Sequence, residues 1–239
     1  MIIKNKNVFF LGYWGSIIFT FTGILYGLSM GILLSKYTIP KYSNLELFLS
    51  LVDEKFINLY TFSQLFAFMS TLFFMIVLCS IHESVQPTNK IYSLISICFG
   101  LAFTILASLN YFIQFSIVRL SLNDGIIQNL ESFVQFNPRS LSNAMNILAW
   151  SLFLGLSTLF LGIIFKGKGI NLAIRMSLFI TSLFCFIGFI GFIFDLPFFM
   201  FIFQMGMTLG LTIGSIFISI VFRKSKNKKM NDSQGAVLN

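Results

Sequence analysis

The chain has 239 residues, of which 56% are hydrophobic and only 10% are charged, and its mean hydropathy is +0.88. Soluble domains are about 45–50% apolar and about 25% charged, so a water-soluble fold with this composition would expose large apolar patches. The net charge of +8 would suggest a nucleic-acid partner in a soluble protein. Here the basic residues lie at the ends of apolar runs, so we expect an integral membrane protein in a lipid bilayer and no nucleic-acid partner.

Six apolar runs are long enough to cross the hydrocarbon core, which takes about 20 helical residues. They cover about 8–34, 56–80, 91–118, 141–165, 170–194 and 196–222. The first run exceeds the apolar core of a signal peptide (about 7–15 residues) and has no small-residue cleavage site, so we expect an uncleaved span. The fold class predicted is all-α, a polytopic bundle of six transmembrane helices over 1–222. A basic, disordered tail over 223–239 is expected to follow it.

The distribution of charge predicts the direction of the spans. With the N-terminus inside, the inner segments hold 11 of the 16 Lys and Arg residues, whereas the outer segments hold five of them and six of the eight acids. By the positive-inside rule, both the N-terminus and the C-terminus are expected in the cytoplasm. Arg223 to Lys229 would anchor this orientation and also attract anionic lipid. The Lys-, Ile-, Asn- and Phe-rich composition favours a bacterial cytoplasmic membrane.

Two spans carry stripes of small residues of the kind that let helices approach closely in lipid. Each stripe is a G-x-x-x-G-x-x-x-G pattern on one helical face. The glycines are Gly23, Gly27 and Gly31 in the first span and Gly206, Gly210 and Gly214 in the sixth. We expect them to make helix contacts within one bundle, such as span one against span six. A homodimer face, a contact with another membrane protein or a sliding surface in a transporter is the alternative.

No catalytic template fits the sequence. There are no paired carboxylates within a span and no H-E-x-x-H, G-x-S-x-G or P-loop motif. His82 alone cannot build a multi-histidine metal or haem site, and Cys79, Cys98 and Cys185 lie in apolar stretches without C-x-x-C spacing. A charge at the bilayer centre costs about 2.5–3.5 kcal/mol and generally marks function, and no charged residue lies at that depth. We expect neither an enzyme nor a metal or cofactor site.

Amide and aromatic side chains concentrate at one depth, in the outer half of the spans. The candidate ligand-binding residues are Gln64, Asn110, Tyr111, Gln114, Asn143, Asn146, Trp150 and Gln204, with Arg119 and Asp195 at the rim. Such a lining suits a neutral or zwitterionic small molecule or a lipid headgroup. The simpler interpretation is interhelical hydrogen bonding, at about 0.6 kcal/mol for each bond. The clustering by depth keeps the ligand site open, since such bonds have no reason to avoid the inner leaflet.

Part of the chain resembles known families. The segment from Asn110 to Arg119, followed by Asn137-Pro138 and a further span, resembles bacterial six-span membrane proteins that are classed as domains of unknown function. That resemblance covers spans three to five and implies a membrane protein without an assigned activity. The chain is also similar in size and span number to ABC-type permease subunits, including those that protect peptide-antibiotic producers. Those usually begin with a longer cytoplasmic segment, so this second resemblance ranks lower.

Two classes of function follow from these observations. The first is the binding or transport of a small molecule or lipid through an outward-facing, amide-lined cavity. The second is a non-catalytic partner subunit, such as a sensor, an immunity protein or an assembly component, that acts through the glycine-striped helix faces.

Overall fold

The computed structural model describes residues 6–37, 52–125 and 128–235, with side chains for all of these except Lys6 and residues 225–235. Six long helices occupy these ranges: α1 (Lys6–Lys36), α2 (Glu54–Ser84), α3 (Pro87–Asn123), α4 (Leu141–Ile164), α5 (Ile170–Ile193) and α6 (Pro197–Gly235). No β-strand occurs among the described residues. All six helices are long and apolar enough to span a membrane. The chain is therefore an all-α, polytopic membrane bundle, as the apolar runs predict.

The helices form a ring in chain order, because each packs against the next and α6 returns to α1. Neighbours run antiparallel, as successive contacts around the ring show. These contacts are Phe19 with Phe74, Thr71 with Ser108, Ser96 with Ser157, Ser182 with Gly155, Gly210 with Thr181, and Ser215 with Thr20. We call the end where α2, α4 and α6 begin the cap end, and the opposite end, where α1 begins, the termini end. The even number of helices places the start of α1 and the end of α6 at the same end of the bundle.

Two helices depart from regular α geometry, α3 near the cap end and α4 close to its middle. In α3 a π turn covers Gln114–Val118, and in α4 another covers Leu148–Phe153. A π turn inserts one extra residue into a helix and shifts the faces on either side of it. Hydropathy does not register such a shift, so the sequence predicted both spans and neither π turn. Turns of this kind occur frequently at functional sites.

Hydrogen bonds from side-chain hydroxyls to backbone carbonyls hold α3 and α4 close together. The Ser96 hydroxyl donates to the Ser157 carbonyl at 2.8 Å, and the Ser157 hydroxyl donates to the Ser96 carbonyl at 2.9 Å. One turn further along α3, Gly100 leaves room for the side chain of Leu78 from α2. Lipid tails are as apolar as the helices, so such close contacts, rather than hydrophobic burial, drive association within the bilayer.

The last helix is longer than the span expected at 196–222, since α6 continues to Gly235 through the basic segment for which disorder was expected. Helical backbone satisfies its own hydrogen bonds and does not depend on an apolar side-chain face. Lys, Arg, Asn and Ser after Phe222 therefore end the apolar run without ending the helix. The other spans begin and end within a few residues of the predicted limits.

The two glycine stripes do not pack against each other. The stripe of α6 lies on α5, where a Cβ atom on Gly210 would lie 3.1 Å from the Ser177 carbonyl oxygen. Among the described residues the stripe of α1 has no neighbour, because a Cβ atom on Gly23, Gly27 or Gly31 would meet none of their atoms within 4 Å. The helices α1 and α6 do touch, but through the hydroxyls of Thr20 and Ser215, which lie 2.7 Å apart. The sequence predicted the glycine contact correctly for α6, but with the wrong neighbouring helix.

We expect Gly210→Leu to destabilise the protein and Gly27→Leu to leave its stability unchanged. The first substitution forces a side chain into the backbone of α5, and overpacking of this kind costs about 1–3 kcal/mol or more. The second adds a side chain to an open face of α1. Thermal unfolding of both variants in the same detergent measures the difference, and equal destabilisation by the two would contradict this arrangement of α1.

Candidate functional site

The centre of the candidate site is Gln114, a fully buried side chain that begins the π turn of α3. Its Oε1 accepts hydrogen bonds from the Tyr60 hydroxyl at 2.8 Å and from the Gln135 backbone N–H at 3.2 Å. Its Nε2 donates to the Phe133 carbonyl at 2.7 Å and to the Ser142 hydroxyl at 3.1 Å. One amide thus joins α2, α3, α4 and the α3–α4 connection, with all four of its hydrogen-bonding positions in use.

The connection between α3 and α4 folds over the cap end of the bundle. We call residues 130–137 the cap segment. Leu130 and Val134 are almost fully buried, and the Phe136 ring lies 5.2 Å from the Tyr60 ring and 6.1 Å from the Phe56 ring, between centroids. Apolar anchoring and the bonds to Gln114 therefore hold the cap segment over α2 and α3.

A second group of amides lies one helical turn deeper than the Gln114 network. Gln64 follows Tyr60 by four residues in α2, Asn146 follows Ser142 by four in α4, and Asn110 precedes Gln114 by four in α3. Four residues of helix correspond to about 6 Å. Because α3 runs opposite to α2 and α4, all three steps lead away from the cap end. We call Gln64, Asn110 and Asn146 the amide layer.

Several polar atoms of the amide layer are buried and find no hydrogen-bond partner among the described residues. They are both amide atoms of Gln64 and the Oδ1 atoms of Asn110 and Asn146. Gln64 is 0% exposed. The Asn110 Nδ2 donates to the Gln135 Oε1 at 3.4 Å, so the layer reaches the cap segment. Leaving a buried donor or acceptor unpaired costs about 1–3 kcal/mol, which makes this layer unusual for the interior of a helical bundle.

Aromatic side chains close the site on the side away from the cap segment. The Trp150 Nε1 donates to the Tyr111 hydroxyl at 2.7 Å, and the Trp150 ring meets Phe103 edge-on with centroids 4.9 Å apart. The Tyr26 ring from α1 lies 6.4 Å from the Tyr111 ring. The amide layer therefore lies between a hydrogen-bonded cap and an aromatic floor. Its side chains are neutral, so it can exchange hydrogen bonds with a ligand but offers it no fixed charge.

Six of the side chains expected at one depth lie on α2, α3 and α4 and are buried or partly buried: Gln64, Asn110, Tyr111, Gln114, Asn146 and Trp150. Direct hydrogen bonds join α3 to α4 here, from Gln114 to Ser142 and from Trp150 to Tyr111. Asn143 shares a helix with them but donates through Nδ2 to the Pro138 carbonyl at 3.1 Å, so it holds the loop that leads into α4. Arg119 lies beyond Gln114 towards the cap end, partly buried, and its Nε has no hydrogen-bond partner.

Two of the expected site residues lie elsewhere. Gln204 is exposed on the surface of α6, whereas its neighbour Phe203 points inward and packs on Gly188 of α5. Asp195 is exposed in the turn between α5 and α6, with a positive φ of 51°. The sequence analysis chose Gln204 by its depth in the span, but depth does not say which way a side chain points around the helix axis.

Several contributors to the site were not expected, among them Tyr60 and Ser142, which bond to Gln114. Tyr26 enters from α1, and the cap segment contributes the Phe133 carbonyl and both the backbone and the side chain of Gln135. The sequence feature that could have indicated Tyr26 is an aromatic hydroxyl in the first span at a depth similar to that of the amides. No sequence signal places a loop over the end of a bundle, since its position depends on tertiary contacts alone.

At the cap end, Asp53 caps the first turn of α2. Its carboxylate accepts from the Phe56 backbone N–H at 2.7 Å and from the Tyr37 hydroxyl at 2.9 Å. These two hydrogen bonds, the backbone bond first, hold the pKa of Asp53 below its ordinary value. Slight desolvation and the neighbouring carboxylate raise the pKa of Tyr37. The pair links the end of α1 to the start of α2.

Among the described residues, no three His, Cys, Asp or Glu side chains come together as a metal site would need.

We expect Gln114→Leu to destabilise the cap segment strongly. The substitution leaves the Tyr60 hydroxyl, the Phe133 carbonyl and the Gln135 N–H without their partner, at about 1–3 kcal/mol for each group that stays buried. Hydrogen exchange of residues 130–137 should become faster in this variant. Gln204→Leu, a change of the same type at an exposed amide, should leave the exchange unaltered; equal effects from both would contradict the role of Gln114.

We expect the contribution of Asp53 to stability to be lost in acid. A lowered pKa means that this contribution is complete above the unfolded-state pKa, about 3.9, and disappears as the pH falls through the lower folded-state value. The difference in melting temperature between the wild type and Asp53→Ala should therefore be constant above about pH 5 and shrink below about pH 4. A difference that grows in acid would show that the sign is wrong.

Comparison of the chain with models of protein families, with curated proteins and with solved structures finds no match. The resemblance of spans three to five to six-span bacterial membrane proteins of unknown function therefore stays a prediction. The chain is a six-helix membrane protein in which Gln64, Asn110 and Asn146 have buried polar atoms without a hydrogen-bond partner among the described residues, beneath the cap segment.

Proposed function

We propose that this membrane protein binds a small neutral or zwitterionic molecule at the amide layer, beneath the cap segment. The observation that carries the proposal is Gln64, a fully buried amide with neither of its polar atoms paired. A residue that served only to join helices would bond to a neighbouring helix, as Gln114 does with all of its positions. A ligand that pairs with Gln64 would remove the cost of burying it.

The chemistry of the site limits what it can take. Gln64, Asn110 and Asn146 contribute amides, and Tyr26, Tyr111 and Trp150 contribute aromatic surface. A ligand of high net charge would have to leave water without a compensating ion, which is costly in a membrane interior. A small molecule with both donors and acceptors, neutral or zwitterionic overall, would match the unpaired atoms.

Access to the amide layer would require the cap segment to move. The segment is attached through the Gln114 bonds and through the packing of Phe136 on Tyr60, contacts that can break and re-form without unfolding a spanning helix. The π turns of α3 and α4 flank the layer and are the parts of these helices most easily rearranged. If the ligand can enter and leave only through the cap end, the protein binds it without transporting it. Transport would require a second pathway from the amide layer to the termini end.

The proposed location is the cytoplasmic membrane of a bacterium, with both termini in the cytoplasm and the cap segment outside. The support is the distribution of Lys and Arg, with 11 of the 16 on the side of the termini. A relationship to six-span bacterial membrane proteins of unknown function is part of the same proposal, and no catalytic activity is proposed.

The decisive experiment is the substitution Gln64→Leu. Removing two unpaired buried polar atoms should raise the melting temperature of the ligand-free protein, because Leu has nothing to leave unsatisfied. The same change should abolish the stabilisation by any amino acid, polyol or betaine that raises the melting temperature of the wild type. Gln204→Leu is the matched control and should keep that response. If Gln64→Leu instead lowers the melting temperature of the ligand-free protein, Gln64 is structural and the proposal is wrong.

A second candidate function, a non-catalytic partner subunit, is favoured by one observation. The glycines of α1 face away from the other helices, so another transmembrane helix or a second copy of the chain could approach closely there. In that case Gly27→Leu should remove a co-purifying partner or a dimer without altering the response to ligands. A wild type that is monomeric and without partners in mild detergent would exclude this candidate.

A further inference from the structure

A long apolar groove runs along the outside of the bundle between α5 and α6. It has a volume of about 670 Å³, and its lining includes Ala173, Met176 and Ile180 from α5 and Leu209, Ile213 and Phe217 from α6. Met176, Ile180, Leu209 and Ile213 are each more than two-fifths exposed, so the groove opens to the surface of the bundle. On α6 the lining extends from Phe201 to Phe217, about 24 Å at 1.5 Å per residue. It therefore lies within the hydrocarbon depth of a bilayer.

Basic residues lie at the termini end of this groove. Lys224 follows Phe217 by seven positions, about two helical turns, and Arg223 follows Met205 by 18 positions, which is about five turns. Both basic residues therefore lie on the faces of α6 that line the groove. Both side chains are exposed. In the antiparallel pair of α5 and α6, Ser177 lies opposite Gly214 and Thr181 lies opposite Gly210. Continuing this register towards the termini end places Lys168, which is exposed just before α5, at the level of Arg223.

The opposite end of the groove has a different charge. Between Arg175 and Arg223 the sequence contains a single charged residue, Asp195, which is exposed in the turn at the cap end. An anionic group would therefore be attracted to the termini end of the groove and repelled from the cap end. Arg175 does not contribute, since it lies over the Phe179 ring on another face of α5.

We infer that the α5–α6 groove is a binding site for an anionic glycerophospholipid. One acyl chain lies along Ile213, Phe217 and Met176, and the phosphate lies between Arg223, Lys224 and Lys168. Basic side chains at the membrane surface next to an apolar cleft are a common arrangement for anionic lipids. The inference is independent of the amide layer, which lies among α2, α3 and α4, and of any ligand bound there.

The test compares two lipids in the purified full-length protein. Dioleoyl-phosphatidylglycerol and dioleoyl-phosphatidylcholine are titrated into the detergent-solubilised protein, and bound lipid is counted by native mass spectrometry. The wild type should bind phosphatidylglycerol more tightly. The double variant Arg223→Gln/Lys224→Gln should bind it about 30-fold more weakly, because each basic residue near the headgroup contributes about fivefold. Lys55→Gln/Arg139→Gln removes two exposed charges at the cap end and should change the affinity little.

A second variant tests the groove itself with all charges retained. Ile213→Trp fills the lining, and the protein should lose bound phosphatidylglycerol while keeping its melting temperature. Leu101→Trp, at an exposed position on α3, is its control. Equal affinity for the two lipids, or the same loss from both double variants, would overturn the site. Retention of the lipid by Ile213→Trp would also overturn the site. If a second copy of the chain covers the groove in the wild type, the groove is a protein interface and not a lipid site.

Discussion

Within a bilayer, a polar group that leaves water must find its hydrogen bond inside the protein, and most features of this structure follow from that constraint. Helices satisfy their own backbone, and many Ser and Thr hydroxyls donate back to a carbonyl one turn earlier, as Ser16 does to Gly12 and Thr158 to Leu154. Other hydroxyls bond across the helix contact, as in the reciprocal pair of Ser96 and Ser157. Against this background, the unpaired amide of Gln64 is an exception that needs a reason.

The two layers of amides differ in how completely they are satisfied. Gln114 uses all of its bonding positions and ties three helices to the cap segment, so it stabilises one closed arrangement. Gln64, one turn deeper on α2, is equally buried, and neither of its amide atoms has a partner within the part of the chain that the structure describes. A stabilising network next to an unsatisfied one is typical of sites where stability is given up for binding. The π turn of α3 begins at Gln114, on the cap side of the amide layer, and the π turn of α4 begins at Leu148, on its deeper side. Turns of this kind are the parts of a helix that rearrange most easily.

The outer surface of the ring is not uniform. Helices α5 and α6 pack closely through Gly206, Gly210 and Gly214, and the side chains that flank this contact form the walls of the apolar groove. Helix α1 has the same small-residue pattern but turns it away from its neighbours. One sequence motif therefore makes a helix contact in α6, whereas in α1 it meets no other residue of the described ranges. The difference arises from the phase of each helix in the ring and not from the motif.

Hydropathy and charge were sufficient to predict an all-α membrane protein with six spans, because the length and polarity of each run are local properties of the chain. The shared depth of Gln64, Asn110, Gln114 and Asn146 was also local, since residue position along a spanning helix measures depth. The direction in which each side chain points around its helix depends on how the helices pack. In the packed bundle Gln204 is exposed, Gln64 is buried and the α6 glycines contact α5. Packing likewise folded residues 130–137 over the end of the bundle and placed the π turns, because these features arise from contacts between segments distant in the chain.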